Sequence, residues 1–259
     1  MWGIIPAAGA GSRIQPLAFS KELLPVGSRI DAGVERPRAV GEYLIERMIL
    51  GGVEKICFVI APGKSDIMEY FGAGVGDTTF YYAVQPRPVG LCDAIFRALP
   101  LVHPSESVLV GLPDTIWFPA GALQTLDDAD LSFLLFPVAR PELFDAVTLD
   151  DDGWVREIQV KDPAPRSQWV WGAFKLRGGT LRELFELWCE PGRGDEYFGT
   201  LVSEYLRRGG RARGVRGGTA YVDVGTLHGY REAIRLLAAE GEGTGGGVGV
   251  VGERGVMVG

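Results

Sequence analysis

The chain has 259 residues, 46% of them hydrophobic and 23% charged, with a formal net charge of −7. This is the composition of a folded domain with room for one large core. Its acidic balance argues against nucleic acid or an anionic membrane as partner, and no apolar run nears the roughly 20 residues of a membrane span. Three scattered cysteines without CxxC spacing, and only two histidines, point away from a disulfide framework or a zinc site. A reducing, cytoplasmic setting is expected. The opening run Trp2–Ile5 lacks the basic lead-in of a targeting segment.

In chain order, Trp2–Pro6 reads as a short buried strand. Ala39–Leu50 carries Val40, Leu44, Ile45, Met48 and Ile49 at helical spacing, and Gly51-Gly52 ends it. Strands follow at Glu54–Ala61, Thr79–Gln85, Ser107–Leu112 and Leu131–Val138, with a helix over Leu91–Leu99. This alternation predicts an α/β fold with a mostly parallel sheet flanked by helices. The second half changes character. Asp150-Asp151-Asp152-Gly153 between Ala146–Leu149 and Trp154–Val160 signals a hairpin. A strand is expected at Gln168–Leu176, then helices at Leu181–Leu187 and Tyr197–Arg207. A last strand, Ala220–Val224, precedes a helix over Leu227–Ala239. Residues 1–240 therefore read as one domain. From Gly241 to Gly259, nine of nineteen residues are glycine, which predicts a flexible tail.

The chemistry concentrates after the first strand. In Ala7-Ala8-Gly9-Ala10-Gly11-Ser12-Arg13, backbone N–H groups can turn toward an anion, since glycine permits a tight path and close approach. A GxGxxG fingerprint fails because Ile14 holds the third glycine position. A Walker loop ending in Gly63-Lys64-Ser65 fails because Phe58 holds its first glycine position. A plain glycine turn, or a loop with a downstream basic clamp, remains. Arg13 and Lys21 supply such a clamp. Pro16 between them argues against a regular helix, so both side chains can curl toward one phosphate group. Taken singly, each is as readily a solvated surface cation.

The segment Gly9-x-Gly11-Ser12-Arg13-Ile14-x-Pro16-Leu17, followed by Ser20-Lys21-Glu22-Leu23-Leu24-Pro25-Val26, resembles the signature of sugar-1-phosphate nucleotidylyltransferases. The similarity is nearest to their glucose-1-phosphate thymidylyltransferase and uridylyltransferase group. Further landmarks follow in the same order: Gln85-Pro86-x-Pro88-x-Gly90-Leu91, Leu112-Pro113-Asp114-Thr115, Lys161-Asp162-Pro163 and Val222-Asp223-Val224-Gly225-Thr226. The resemblance implies a Rossmann-like three-layer α/β/α fold with a mixed, mostly parallel central sheet and a small β-rich sugar-binding insertion. It also implies transfer of UMP or dTMP from UTP or dTTP to a sugar 1-phosphate, with release of pyrophosphate.

Roles follow from the same resemblance. Arg13 and Lys21 would be catalytic, on the leaving phosphates and the α-phosphoryl group. Ala8, Gly9, Gly11 and Ser12 would bind the nucleotide, and Gln85 and Gly90 its base. Gln offers a donor and an acceptor to the O4/N3–H edge of uracil or thymine. Asp114 and Asp223, each ending an apolar strand, would share Mg²⁺, a hard cation suited to carboxylate and phosphate oxygens. Taken alone, each aspartate could equally be a turn cap. Lys161 would meet the sugar phosphate and Gly172 would let the sugar approach the backbone. Trp169 and Trp171 alternate on a strand and are expected in the core.

Val160 stands where the family carries a sugar-binding glutamate, and Gly27–Arg36 reads as an insertion. The altered sugar segment motivates a second reading, a catalytically inactive nucleotide or nucleotide-sugar sensor of the same fold. A nicotinamide oxidoreductase is weaker still, given the failed fingerprint. A homo-oligomer stays open.

Overall fold

The computed structural model describes residues 1–243. Strand β1 (Trp2–Pro6) leads into the glycine loop and a single 3-10 turn over Lys21–Leu23. Strands β2 (Pro25–Asp31) and β3 (Val34–Ala39) form a hairpin, so the insertion-like stretch Gly27–Arg36 is regular structure. Helix α1 (Val40–Leu50) follows, then β4 (Lys55–Ile60), α2 (Ser65–Phe71), β5 (Gly74–Val75), β6 (Thr78–Val84), α3 (Leu91–Phe96) and β7 (Ser107–Gly111). A short strand, β8 (Thr115–Phe118), precedes β9 (Leu131–Pro137), β10 (Asp145–Leu149), β11 (Val155–Val160) and β12 (Trp169–Arg177). The chain continues through α4 (Gly178–Trp188), α5 (Phe198–Arg207), β13 (Arg213–Val215), β14 (Ala220–Asp223) and α6 (Leu227–Gly243). The glycine-rich stretch therefore begins within α6, and its residues from 244 onward lie outside the described part. No helix of the described residues is long and apolar enough to cross a membrane.

Ten strands form one mixed sheet, in the order β11-β10-β12-β7-β1-β4-β6-β5, with β9 and β13 branching from β12. Its centre, β7-β1-β4-β6, is parallel. Antiparallel pairing starts where β12 joins β7 and continues into the β10–β11 hairpin. The three layers follow from the pleat of β1. Ile4 packs into one apolar cluster with Ile95, Leu184 and Phe198 of α3, α4 and α5. Its neighbour Ile5 points the other way, into a cluster with Leu44, Met48 and Ile67 of α1 and α2. All these side chains are buried. A third cluster joins Val26 of β2, Val40 and Tyr43 of α1, Ile116 of β8, Val222 of β14 and Ala233 of α6.

The chain order around β1 positions the site. From β1 the fold steps to β4 and β6 on one side and returns to β7 on the other. The reversal falls between β1 and β7, so the segments after these two strands diverge and open a crevice at their carboxyl ends. The glycine loop follows β1, and Asp114 follows β7.

Candidate active site

After β1, Gly9, Ala10, Ser12 and Arg13 are exposed and Gly11 is half-buried, while Ala7 and Ala8 are buried beneath them. Ala7 is fixed by its N–H to the Val59 carbonyl at 2.8 Å. Gly11 turns the loop at φ +66°, a left-handed conformation that a residue with a Cβ rarely adopts. A side chain there would also press on Lys21, its Cβ lying 2.9 Å from Lys21 Cδ. The loop is thus laid across the lysine stem, so the two parts of the sequence signature form one surface.

Lys21 opens the 3-10 turn and is largely buried. Its Nζ donates to Asp114 Oδ2 in an ion pair. Burial alone would lower the lysine pKa and raise that of the carboxyl. The paired charge and hydrogen bond outweigh burial at both groups, so Lys21 is raised and Asp114 lowered from their ordinary values. Both are therefore held charged. Asp114 sits between β7 and β8, and its carbonyl accepts from Val224 N–H at 2.8 Å. Asp223 ends β14, which pairs antiparallel with β8 so that Asp223 lies opposite Thr115. This two-stranded ribbon is what brings residues 114 and 223 together.

The carboxylates meet at Gly225. Its N–H donates to Asp223 Oδ1 at 2.7 Å. A Cβ on Gly225 would stand 2.8 Å from Asp223 Oδ1, 3.1 Å from Asp114 Oδ2 and 3.2 Å from Arg13 Nη2. Arg13, exposed over most of its side chain, pairs with Asp223 Oδ2 at 3.0 Å. Four of the residues singled out from sequence thus converge on one small gap beside the glycine loop.

A second set of charges holds this arrangement from below. Lys64 Nζ donates to the Ala7 carbonyl at 2.7 Å and to both Glu22 oxygens at 2.8 Å. Ser20 N–H and Oγ–H both bond to Asp66, at 2.6 and 2.7 Å. The end of β1 and the turn bearing Lys21 are therefore tied to the start of α2. Burial raises the Glu22 pKa despite Lys64 and Lys21 beside it. In the sequence Lys64 stands out only as the end of a failed Walker loop. The signal available was a Lys-Ser-Asp run just after a buried strand, at the sheet edge where the glycine loop lies.

Gln85 follows β6 and is buried. Its Nε2 donates to the Gly90 carbonyl at 3.0 Å and to Asp93 Oδ2 at 2.9 Å. Both partners only accept, so the amide nitrogen faces them and Oε1 is the atom left over. Gln85 was expected to present a donor and an acceptor to a base; here its donors are spent internally. Gly90 precedes α3 as its cap at φ +108°, with Leu91 N–H held by the Glu196 carbonyl at 2.9 Å.

Lys161 follows β11 and Gly172 lies on β12, in the antiparallel part of the sheet. Lys161 donates to the Leu143 carbonyl at 2.9 Å. Gly172 makes room for rings: a Cβ there would come within 2.5 Å of Tyr221 and 2.6 Å of Phe136. Glycine at 172 thus serves core packing at a strand irregularity. Trp171 is buried among Phe133, Phe174 and Phe198, as anticipated.

A glycine loop, two cations and two strand-end carboxylates gathered at a switch point of an α/β sheet define a phosphate-handling α/β protein. The nucleotidyl transferase family model matches residues 2–240, and the chain belongs to this family. It is 27% identical over 247 residues to the glucose-1-phosphate thymidylyltransferase of Neisseria meningitidis, covering 92% of this chain and 82% of that one. The enzyme of the same name from Mycolicibacterium smegmatis is 27% identical over 246 residues, covering 90% and 81%. The fold also matches the UTP-bound UGPase of Acinetobacter baumannii, with a TM-score of 0.74 at 19% identity, covering 92% of this chain and 93% of that one.

Proposed function

We propose that the protein is an enzyme that transfers UMP or dTMP from UTP or dTTP to a sugar 1-phosphate, releasing pyrophosphate. The observation that carries this reading is the convergence of Lys21, Asp114, Asp223 and Arg13 on the gap at Gly225, beside the loop from Gly9 to Arg13. An oxygen of the sugar phosphate attacks the α-phosphorus, the bond to the β-phosphate oxygen breaks, and pyrophosphate leaves. Such a reaction asks the protein chiefly for positioning and charge neutralisation.

The residues divide that work. Backbone N–H groups of the loop, from Ala8 to Ser12, face the triphosphate. Arg13 takes the leaving phosphates. Lys21, kept protonated by Asp114, offsets negative charge that builds on the α-phosphoryl group. The residues present also fit a divalent cation: two carboxylates from two strand ends face one gap, and glycine at 225 keeps it open. Among the described residues no cluster of three or more His, Cys, Asp or Glu could cage a metal. Two carboxylates completed by phosphate and water oxygens suit Mg²⁺, which would draw charge from the phosphate oxygens. On this reading Asp114 and Asp223 exchange their pairing with Lys21 and Arg13 for the metal and the nucleotide.

Gln85 Oε1 suits the N3–H of uracil or thymine and meets the lone pairs of adenine N1 and cytosine N3 unfavourably. Gly90 closes the same corner. Lys161 takes the sugar phosphate. The inactive-sensor alternative gains nothing from the geometry, because a binder need not assemble an α-phosphate lysine with a carboxylate pair. The test is pyrophosphate release from a panel of nucleoside triphosphates with common sugar 1-phosphates and Mg²⁺. Release with UTP or dTTP is expected; a panel that yields none removes the proposal.

A further inference from the structure

Asp145, the first residue of β10, has no role in the chemistry above, yet it is costly to the fold. Its side chain is only 10% exposed. Its Oδ1 is buried with no hydrogen-bond partner among the described residues, and the nearest cation, Lys161 Nζ, lies 3.8 Å away. Beside it the indole N–H of Trp171 is also buried without a completed hydrogen bond. Burial pushes the Asp145 pKa up, and Lys161, the Trp171 indole and the Lys161 N–H offset this only in part. A buried acceptor and a buried donor that adjoin without completing a hydrogen bond are rare in folded proteins. A hydroxyl, which donates and accepts, satisfies both.

The location says whose hydroxyl. In the antiparallel β10–β11 pair, Asp145 stands directly opposite Val160, so the two side chains share a face. Both approach Gly199 at the start of α5, where a Cβ would lie 2.7 Å from Val160 and 3.3 Å from Asp145 Oδ2. Position 160 is where the resemblance places a sugar-binding glutamate, and this chain has valine there. The carboxylate missing from β11 is thus supplied by the neighbouring strand, on the same face and next to Lys161. The site connects to the carboxylate pair through Phe144, whose ring packs 5.6 Å from that of Tyr221, two residues before Asp223.

We infer that Asp145 selects the acceptor sugar: its carboxylate takes a ring hydroxyl of a hexose 1-phosphate, with the Trp171 N–H beside it and Lys161 at the phosphate. This rests on the nucleotidyl-transfer reading. It also explains why an incompletely paired carboxylate is kept in the structure, as a feature retained for function at the expense of stability.

The test is steady-state kinetics of wild type, Asp145→Ala and Asp145→Asn with glucose 1-phosphate against UTP and dTTP, together with melting temperatures. For Asp145→Ala the KM for the sugar phosphate should rise roughly 10- to 100-fold, as for loss of a charged hydrogen bond. The KM for the nucleotide should stay within about twofold, and the melting temperature should hold or rise, because an incompletely paired buried carboxylate has gone. With monodeoxy glucose 1-phosphates, wild type should be penalised at one hydroxyl and Asp145→Ala at none. Adding Val160→Glu to Asp145→Ala should recover sugar affinity. An unchanged sugar KM would overturn the inference, as would a rise shared equally by the nucleotide with a lower melting temperature. If wild type releases no pyrophosphate, the transfer reading itself fails. Calorimetry with UDP-glucose and dTDP-glucose then decides: tenfold weaker binding to Asp145→Ala supports the sugar contact, and equal binding, or none to either, refutes it.

Discussion

Asp114 and Asp223 make the same demand on the fold. Their charges are close together, and Lys21, Arg13 and the Gly225 N–H make that arrangement tolerable in the described structure. Asp114→Asn or Asp223→Asn should lower kcat by two orders of magnitude or more, a change of about 1.4 kcal/mol per tenfold. Nucleotide titration would check that binding survives. Gly225→Ala puts a methyl among Asp223, Asp114 and Arg13. It should depress turnover while leaving the melting temperature close to wild type, since the clash is with site groups and not with the core. Gln85→Leu should cost uracil and thymine recognition on the order of 2 kcal/mol, read as roughly a 30-fold loss of kcat/KM for UTP or dTTP. The loop, the two cations and the two aspartates were legible in the sequence because each is a distinctive residue at a fixed distance from a strand or glycine. The meaning of Gln85 was not. Which face of its amide is free depends on Asp93 and the Gly90 carbonyl, and such pairing does not show in a linear pattern.

Among the elements, α2 does more than cover the sheet. Through Lys64 and Asp66 its start anchors the carbonyl of Ala7, the carboxylate of Glu22 and the backbone of Ser20. Lys64→Met leaves Glu22 buried without its partner and should destabilise the protein by roughly 3–5 kcal/mol in denaturant unfolding. Adding Glu22→Gln should recover part of that loss. Neither the α2 anchor nor the β2–β3 hairpin was foreseen. The hairpin segment Gly27–Arg36 is too polar to show a strand period, and it is held instead by its edges. Tyr43 Oη donates to the Val26 carbonyl at 2.9 Å and Tyr230 Oη to the Pro25 carbonyl at 3.0 Å. The long strands and α1 were legible because burial on one or both faces writes an apolar run or a helical stripe into the chain. Strand β8, four residues between Asp114 and Pro119, is too short for that, yet its pairing with β14 is what joins the two aspartates.

At the scale of the whole molecule, α1 is locked to the β8–β14 ribbon by Arg47. This residue is 1% exposed and donates to the Trp117 carbonyl at 3.0 and 2.5 Å and to the Tyr43 carbonyl at 2.9 Å. Burial, with Arg38 nearby, lowers its pKa to about 10, so it remains charged at neutral pH. On the proposed reading, the parallel half of the sheet would lie beneath the nucleotide and the antiparallel half beneath the sugar. Asp145 and Lys161 on the second half would then answer to the acceptor, and the glycine loop on the first half to the donor. The central claim is that bond breaking occurs between the α- and β-phosphates and that the nucleotidyl group passes to a sugar phosphate. Incubation of the wild-type protein with α-labelled UTP or dTTP, Mg²⁺ and glucose 1-phosphate tests it most directly. The expected result is label in a nucleotide sugar, with an equal amount of unlabelled pyrophosphate, and neither product from Asp223→Asn. Label recovered only as free nucleoside monophosphate or diphosphate, or left in the triphosphate that the protein binds, would contradict it.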